Sequence, residues 1–256
     1  MMNLRNKAIL AEKAARASGE MLQHQSNFKV MRKSENDFVT EMDFKSENLI
    51  KEMLLTACPE DEFFGEESGG ATECLGRWIV DPIDGTANFM RGQPLYTISI
   101  AYEYKGELVV GCVYCPPTDE LFLGIKGEGA TLNGKPIHVS DVDDTHNAIL
   151  HMAFAHRFND LREQTLKIVP KLVCHTSDMR RSGSCAYDMC SVAAGHCDGY
   201  VELGLSLYDY AAGYVILTEA GGKLSAWKED EDPIATGNLL ASNTILENAI
   251  RALVTE

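Results

Sequence analysis

The chain has 256 residues, 45% of them hydrophobic and 24% charged. This is the balance of an ordinary globular protein and excludes disordered and collagen-like architectures. With 38 acidic against 23 basic residues the net charge is −15, a sign that repels nucleic acid and anionic membrane; an anionic substrate would need a local reversal of it. No apolar run reaches the roughly 18–20 residues of a membrane span. The N-terminal stretch is charged throughout and lacks an apolar signal core, so a cytoplasmic location is expected. The cysteines, Cys58, Cys74, Cys112, Cys115, Cys174, Cys185, Cys190 and Cys197, are dispersed and read as reduced, buried thiols.

In chain order, residues 4–24 read as a helix, with Leu4, Ala8, Ala11, Ala15 and Leu22 at helical spacing. Met31–Asn36 reads as an exposed loop. A second helix runs from about Phe44 to Ala57 and stops at Cys58-Pro59. The middle is β-rich: Arg77–Val80, Tyr96–Tyr104, Glu107–Cys115 and Glu120–Ile125 are strands of an antiparallel meander. Lys105-Gly106 is a turn, and Asn133-Gly134 is a hairpin signal. After about Ser140 strand and helix alternate. Ala148–Phe154, Gly199–Glu202 and Ala235–Ala241 are strands. Asp160–Val169, Cys185–Ala194, Tyr210–Ala220 and Thr244–Thr255 are helices, the third of them stopped by Gly221-Gly222. No linker separates the halves, so residues 1–140 and 141–256 are expected to be two packed subdomains with a cleft between them. The fold class is layered α/β.

The segment Trp78–Phe89, WIVDPIDGTANF, carries the chemistry. A buried strand ends in Asp81, Pro82 stops the ladder, and Asp84 follows. On a continuing strand Asp81 and Asp84 would face opposite sides; on a turn fixed by Pro82 they converge. Two carboxylates held together at neutral pH need a cation, and oxygen-only ligation at a strand end suits Mg²⁺ or Mn²⁺. Gly85-Thr86 opens a helix-like turn whose N–H groups can hold a phosphate. An Asp-Gly turn with a capping aspartate is the bland alternative, and Pro82, Gly85 and Thr86 together tip the balance against it. Glu66 and Glu67 follow an apolar Phe63-Phe64, with one side chain expected inward and one outward. Asp43 and Asp209 each stand at a helix start, where capping is the default role. Cys112 and Cys115 lie on one strand facing opposite sides, which argues against zinc or redox chemistry. The seven histidines lack metal spacing. Arg180-Arg181 suits either a second phosphate or plain surface, and Arg32 with Lys33 either an offset to an acidic cleft or plain surface.

Together these segments resemble the inositol monophosphatase family, within the Mg²⁺-dependent, lithium-sensitive phosphatases. DPIDGTANF matches its D-P-[IL]-D-G-T-x-N-F signature, GEES its G-E-E-S, and DFVTEMD its D-x-V-T-x-x-D. YDYAAGYVILTEAGG matches W-D-x-A-A-G…E-A-G-G with Tyr208 in place of Trp, and RRSGSCA resembles R-S-x-G-[ST]-A-A. The resemblance implies an α-β-α-β-α sandwich and a homodimer. It implies Glu66, Asp81, the Ile83 carbonyl, Asp84 and Asp209 as ligands of two to three Mg²⁺. By the same resemblance Asp43 and Thr86, with Glu66, act on the attacking water, and the Gly85 and Thr86 N–H groups bind phosphate. Gly183, Ser184, Cys185 and Glu202 would contact the substrate ring, Cys185 standing where Ala is usual. The implied reaction is hydrolysis of a small phosphate monoester of a polyol or sugar, with myo-inositol 1-phosphate foremost and no nucleic-acid or membrane partner. Fructose-1,6-bisphosphatase-like and histidinol-phosphate phosphatase activities are alternatives within the class. A regulatory or binding protein is the alternative outside it. Asp84→Asn is expected to abolish Mg²⁺-dependent phosphate release and leave the fold intact.

Overall fold

The computed structural model describes residues 3–25, 27–34, 37–70 and 74–255. Helix α1 (Leu4–Gln23) begins where the Asn3 side chain accepts the Asn6 N–H at 2.8 Å. Its small apolar stripe of Ala8, Ala11, Ala15 and Leu22 is buried. The stretch expected as a loop is largely a strand: β1 (Val30–Ser34) pairs antiparallel with β2 (Asp37–Thr40). Every residue of β1 is exposed, so no apolar–polar alternation marks it in the sequence. Residues 35 and 36 of that stretch lie outside the described residues. Helix α2 (Glu41–Ala57) starts three residues earlier than Phe44, because Thr40 and Asp43 form a reciprocal capping box.

The central strands follow: β3 (Glu62–Gly65), β4 (Gly69–Gly70) and β5 (Gly76–Asp84), then the short helix α3 (Thr86–Met90). They continue with β6 (Thr97–Tyr104), β7 (Glu107–Cys115), β8 (Glu120–Ile125), β9 (Gly129–Leu132) and β10 (Lys135–Pro136). Strands β5 to β10 form the expected antiparallel meander, and β3 adds to β5 in parallel, giving the order β10-β9-β8-β7-β6-β5-β3-β4. Strand β5 does not end at Val80. It runs on through Pro82, and its register against β6 slips between Asp81, opposite Ser99, and Asp84, opposite Thr97. Three residues there span two of the partner strand, which is a bulge. A proline is tolerated in such a gap because the extra residue has no ladder bond to lose.

The second half contains β11 (Ile149–Met152), α4 (Asn159–His175), β12 (Asp178–Arg180), α5 (Cys185–Ala193) and β13 (Gly199–Glu202). It closes with α6 (Leu207–Glu219), β14 (Lys223–Ala226), α7 (Pro233–Thr236), β15 (Leu239–Ser242) and α8 (Glu247–Thr255). The five strands form a mixed sheet in the order β12-β11-β13-β15-β14. Helix α4 passes through Pro170 rather than stopping before it, since Ile168 and Leu172 on either side are both buried in one core. That packing offsets the backbone bond a proline removes. Ala235 and Thr236, expected to open a strand, instead close α7, because Asp232 caps the Ile234 N–H at 2.9 Å and Pro233 suits a first turn.

Three hydrophobic cores stack these parts into five layers. The first lies between α1, α2 and the eight-stranded sheet. The second lies between that sheet, α5 with α6, and the smaller sheet. The third lies between the smaller sheet and α4 with α8. The order is therefore α-β-α-β-α, as the family resemblance implies. Helix α6 comes close to the large sheet at Gly111 and Gly124. A Cβ on Gly124 would sit 2.9 Å from the Ile216 Cα, and one on Gly111 would strike the Ala212 carbonyl. All eight cysteines are free thiols; Cys174 is exposed and Cys74 half-buried, so burial holds only for the other six.

Candidate active site

The layers leave a cavity of about 410 Å³ between the end of β5, the start of α5 and the start of α6. Glu66, Asp81, the Ile83 backbone, Asp84 and Asp209 all stand on its wall, as do Gly85 and Thr86. The bulge in β5 turns Asp81 and Asp84 to the same side, which a regular strand would not do. Gly85 allows the immediate turn into α3: its φ of 96° is strained for any other residue.

The acids are buried and crowded. Asp81 is 2% exposed and Asp84 8%. Burial, then the charges of Glu66, Asp84 and Asp209, hold the Asp81 carboxyl well above the usual carboxylate range. Burial likewise pushes Asp84 up to about 6, against the pull of its hydrogen-bond donors. Burial raises Asp209 too, opposed by Arg157. Asp209 occupies the third helical position of α6, where its Oδ2 accepts the Ser206 N–H at 2.6 Å in a capping box. The capping role expected by default for Asp43 and Asp209 is thus present, in addition to their place at the site.

Asp84 does more than face the cavity. Its carboxylate accepts the Ser184 hydroxyl at 2.6 Å, the Ala186 N–H at 2.7 Å and the Cys185 N–H at 3.2 Å. It thereby binds the positive end of α5 to the large sheet. Asp84→Asn keeps one oxygen for these donors and turns an NH2 group toward the rest, so it carries a cost at the start of α5 that the expectation of an untouched fold leaves out. Asp81 is a cleaner target: its Oδ1 accepts only the Ile83 N–H, at 3.0 Å, among the described residues.

Asp43 lies one layer behind the wall. Its Oδ2 accepts the Thr40 N–H at 2.7 Å and the Thr40 hydroxyl at 2.6 Å. Its Oδ1 lies 3.2 Å from the Thr86 hydroxyl, which also reaches the Ile83 carbonyl at 3.0 Å. Gly183, Ser184, Cys185 and Glu202 also reach the cavity wall. Glu202 accepts the Tyr200 hydroxyl, and burial raises its carboxyl to about 7.

Glu66 and Glu67 do not split inward and outward. Both hold the ammonium of Lys33, at 3.1 Å and 2.6 Å, and burial raises Glu67 to about 7 against that contact. Lys33, though exposed, thus reaches a carboxylate of the cavity wall, while Arg32 bonds the Ser34 carbonyl at 3.1 Å on its own hairpin. Arg181 lines the cavity; Arg180 pairs with Asp178 at 2.7 Å on the surface. Sequence reasoning missed His156, Arg157 and Asp188, which also line the wall. None of them sits in a recognisable motif.

The donor chemistry fits a hard divalent cation: only oxygens, from buried carboxylates that repel one another. As the side chains stand, no three His, Cys, Asp or Glu residues among those described are arranged to hold a metal ion. Glu66 is turned to Lys33, Asp84 to α5 and Asp209 to Ser206.

Layering and cavity together define an α-β-α-β-α protein with an acid-walled cleft between the end of β5 and the starts of α5 and α6. The chain belongs to the inositol monophosphatase family, whose sequence model matches residues 3–256. It is 37% identical over 246 residues to Nus factor SuhB of Vibrio cholerae, covering 95% of this chain and 91% of that protein. It is 35% identical over 242 residues to an inositol-1-monophosphatase of Mesorhizobium japonicum, covering 94% and 91%. The solved inositol monophosphatase of Anabaena superimposes with a TM-score of 0.86 at 33% identity, over 99% of this chain and 96% of that one.

Proposed function

We propose that the chain is a Mg²⁺-dependent phosphatase that hydrolyses a small phosphate monoester of a polyol, myo-inositol 1-phosphate foremost. The observation that carries this reading is the gathering of Glu66, Asp81, Asp84 and Asp209, from three distant parts of the chain, on one cavity wall beside Thr86. Those carboxylates and the Ile83 carbonyl would hold the metal. When bound, the cation supplies the positive charge that an acidic protein needs where an anionic phosphate lands, and it acidifies water.

The chain's own residues would do the rest. Asp43, locked by its two bonds from Thr40, would accept the hydrogen bond of the Thr86 hydroxyl once a metal engages the Ile83 carbonyl, which otherwise shares that hydroxyl at 3.0 Å. The Thr86 oxygen then keeps a lone pair with which to accept a hydrogen bond from the attacking water and orient it in line with phosphorus. The Gly85 and Thr86 N–H groups would hold phosphate oxygens, and Glu202 with Gly183 and Cys185 would face the organic part. Ser184 would act through Asp84, which it already bonds. The subunit is expected to work as a cytoplasmic homodimer with two packed halves, 1–140 and 141–256. Among the described residues no helix is long and apolar enough to cross a membrane.

The name of the Vibrio cholerae relative, Nus factor SuhB, favours a second reading: a binding role that does not need turnover. The retained carboxylate set favours the phosphatase. Phosphate release with Mg²⁺ from inositol 1-phosphate, fructose 1,6-bisphosphate, histidinol phosphate and adenosine 3′,5′-bisphosphate decides between them. Preference for the inositol ester supports the proposal, and no release from any with any divalent metal sinks it.

A further inference from the structure

Two carboxylates at the organic-ligand side of the cavity share one construction. Glu202 is backed by the hydroxyl of Tyr200 on β13. Asp188, in the first turn of α5, is backed by Nδ1 of His151 on β11. His151 and Tyr200 are register partners on these adjacent parallel strands. Asp188 is 1% exposed yet lies on the cavity wall. Its Oδ1 is taken by His151. Its Oδ2 has no hydrogen-bond partner among the described residues, and it is not one of the sealed buried atoms. A buried carboxylate oxygen without a protein partner is costly unless something else meets it. The opening beside it is the cavity, so the donor it awaits comes from there. The hydrogen bond to the imidazole offsets part of the Asp188 charge, and a neutral hydroxyl therefore suits the remaining oxygen.

Building on the phosphatase reading above, we propose that Asp188 is a substrate-hydroxyl acceptor, held in place by the positioning residue His151. Working beside Glu202, it reads adjacent hydroxyls on the organic part of a phosphate ester. Glu202 takes one hydroxyl and Asp188 its neighbour, so the pair selects for polyol esters over esters that carry no hydroxyls. The fixed rings behind both carboxylates hold their spacing, as such recognition requires.

The test compares inositol 1-phosphate with phenyl phosphate, which lacks hydroxyls, in Asp188→Ala, His151→Ala and His151→Asn. Loss of one such acceptor contact corresponds to about tenfold. Asp188→Ala and His151→Ala are expected to lower the ratio of kcat/KM for inositol 1-phosphate over phenyl phosphate by about that factor, through KM. His151→Asn, whose amide N–H can take the place of Nδ1–H, is expected to restore most of it. An equal loss on both substrates, or no loss, overturns the proposal by assigning the pair to stability or to nothing. If Asp188→Ala does not fold, the two His151 variants carry the comparison. If wild-type protein releases phosphate from neither ester, the phosphatase reading fails on its own. The proposal is then judged by calorimetry with inositol 1-phosphate: weaker binding by His151→Ala supports it, and equal or no binding overturns it.

Discussion

Lys7 offers a stability test far from the cavity. Its ammonium is 1% exposed and bonds Asp61, whose own side chain is 5% exposed. It also lies over two rings, 4.3 Å from the Tyr102 centroid and 5.2 Å from that of Trp78. Asp61 in turn accepts the Tyr102 hydroxyl at 2.9 Å. Lys7→Met keeps the packing and removes the charge, leaving Asp61 buried with a single neutral donor. Breaking a buried pair in this way costs about 3–5 kcal/mol. In a chain of this size each kcal/mol moves Tm by roughly 2–4 °C, so the melting point should fall by about 10 °C. Adding Asp61→Asn removes the stranded charge while keeping an oxygen for Tyr102. The double variant should therefore be less destabilised than the sum of the singles, by about 2–3 kcal/mol. Thermal melts of the four proteins measure this. Strictly additive effects, or a Lys7→Met variant that melts with wild type, would refute the reading that the buried Lys7 and Asp61 charges depend on each other.

Further outcomes follow from the site. Glu202 has its folded carboxyl raised from 4.5 to about 7 by burial. Its stabilising contribution is full below about pH 4.5 and is lost as pH rises through 7. Without metal, Glu202→Gln should narrow the drop in Tm between pH 5 and pH 8; an unchanged drop contradicts the assignment. Lys33→Gln frees Glu66 from a competing cation and should tighten Mg²⁺ binding by about threefold to tenfold in calorimetry. Weaker or unchanged binding would show that Lys33 does not compete. Asp81→Asn keeps the bond from the Ile83 N–H and relieves the crowding of buried charge. Its melting point without metal should rise, and a fall would mean that the crowding was not unfavourable.

Much of the fold was legible because its punctuation is local. Strands β7 and β8 fall on their expected residues, since Lys105 and Gly106 adopt the positive φ values, 55° and 77°, of a tight hairpin. Strand β13 and helix α5 were equally clear. The short strands β12 and β14 were not: β12 has three residues and no buried one, and β14 follows directly on the Gly221-Gly222 stop. Exposed β1 and helix α4 across Pro170 defeat rules that rest on periodicity and breakers. At the site, the motif residues gather as anticipated. The sequences Thr40-x-x-Asp43 and Ser206-x-x-Asp209 also announce the capping boxes that orient two of the acids. The pairing of Asp188 with His151 spans 37 residues, and that of Asp84 with Ser184 spans 100. Only the assembled layers reveal them.

Phosphate release from inositol 1-phosphate by wild type and Asp81→Asn, each with and without Mg²⁺, tests the central claim most directly. Release by wild type that requires Mg²⁺, and its loss by about a thousandfold or more in a folded Asp81→Asn protein, is the predicted result. Release that is indifferent to Mg²⁺, or that survives Asp81→Asn undiminished, would contradict a phosphatase built on this carboxylate wall.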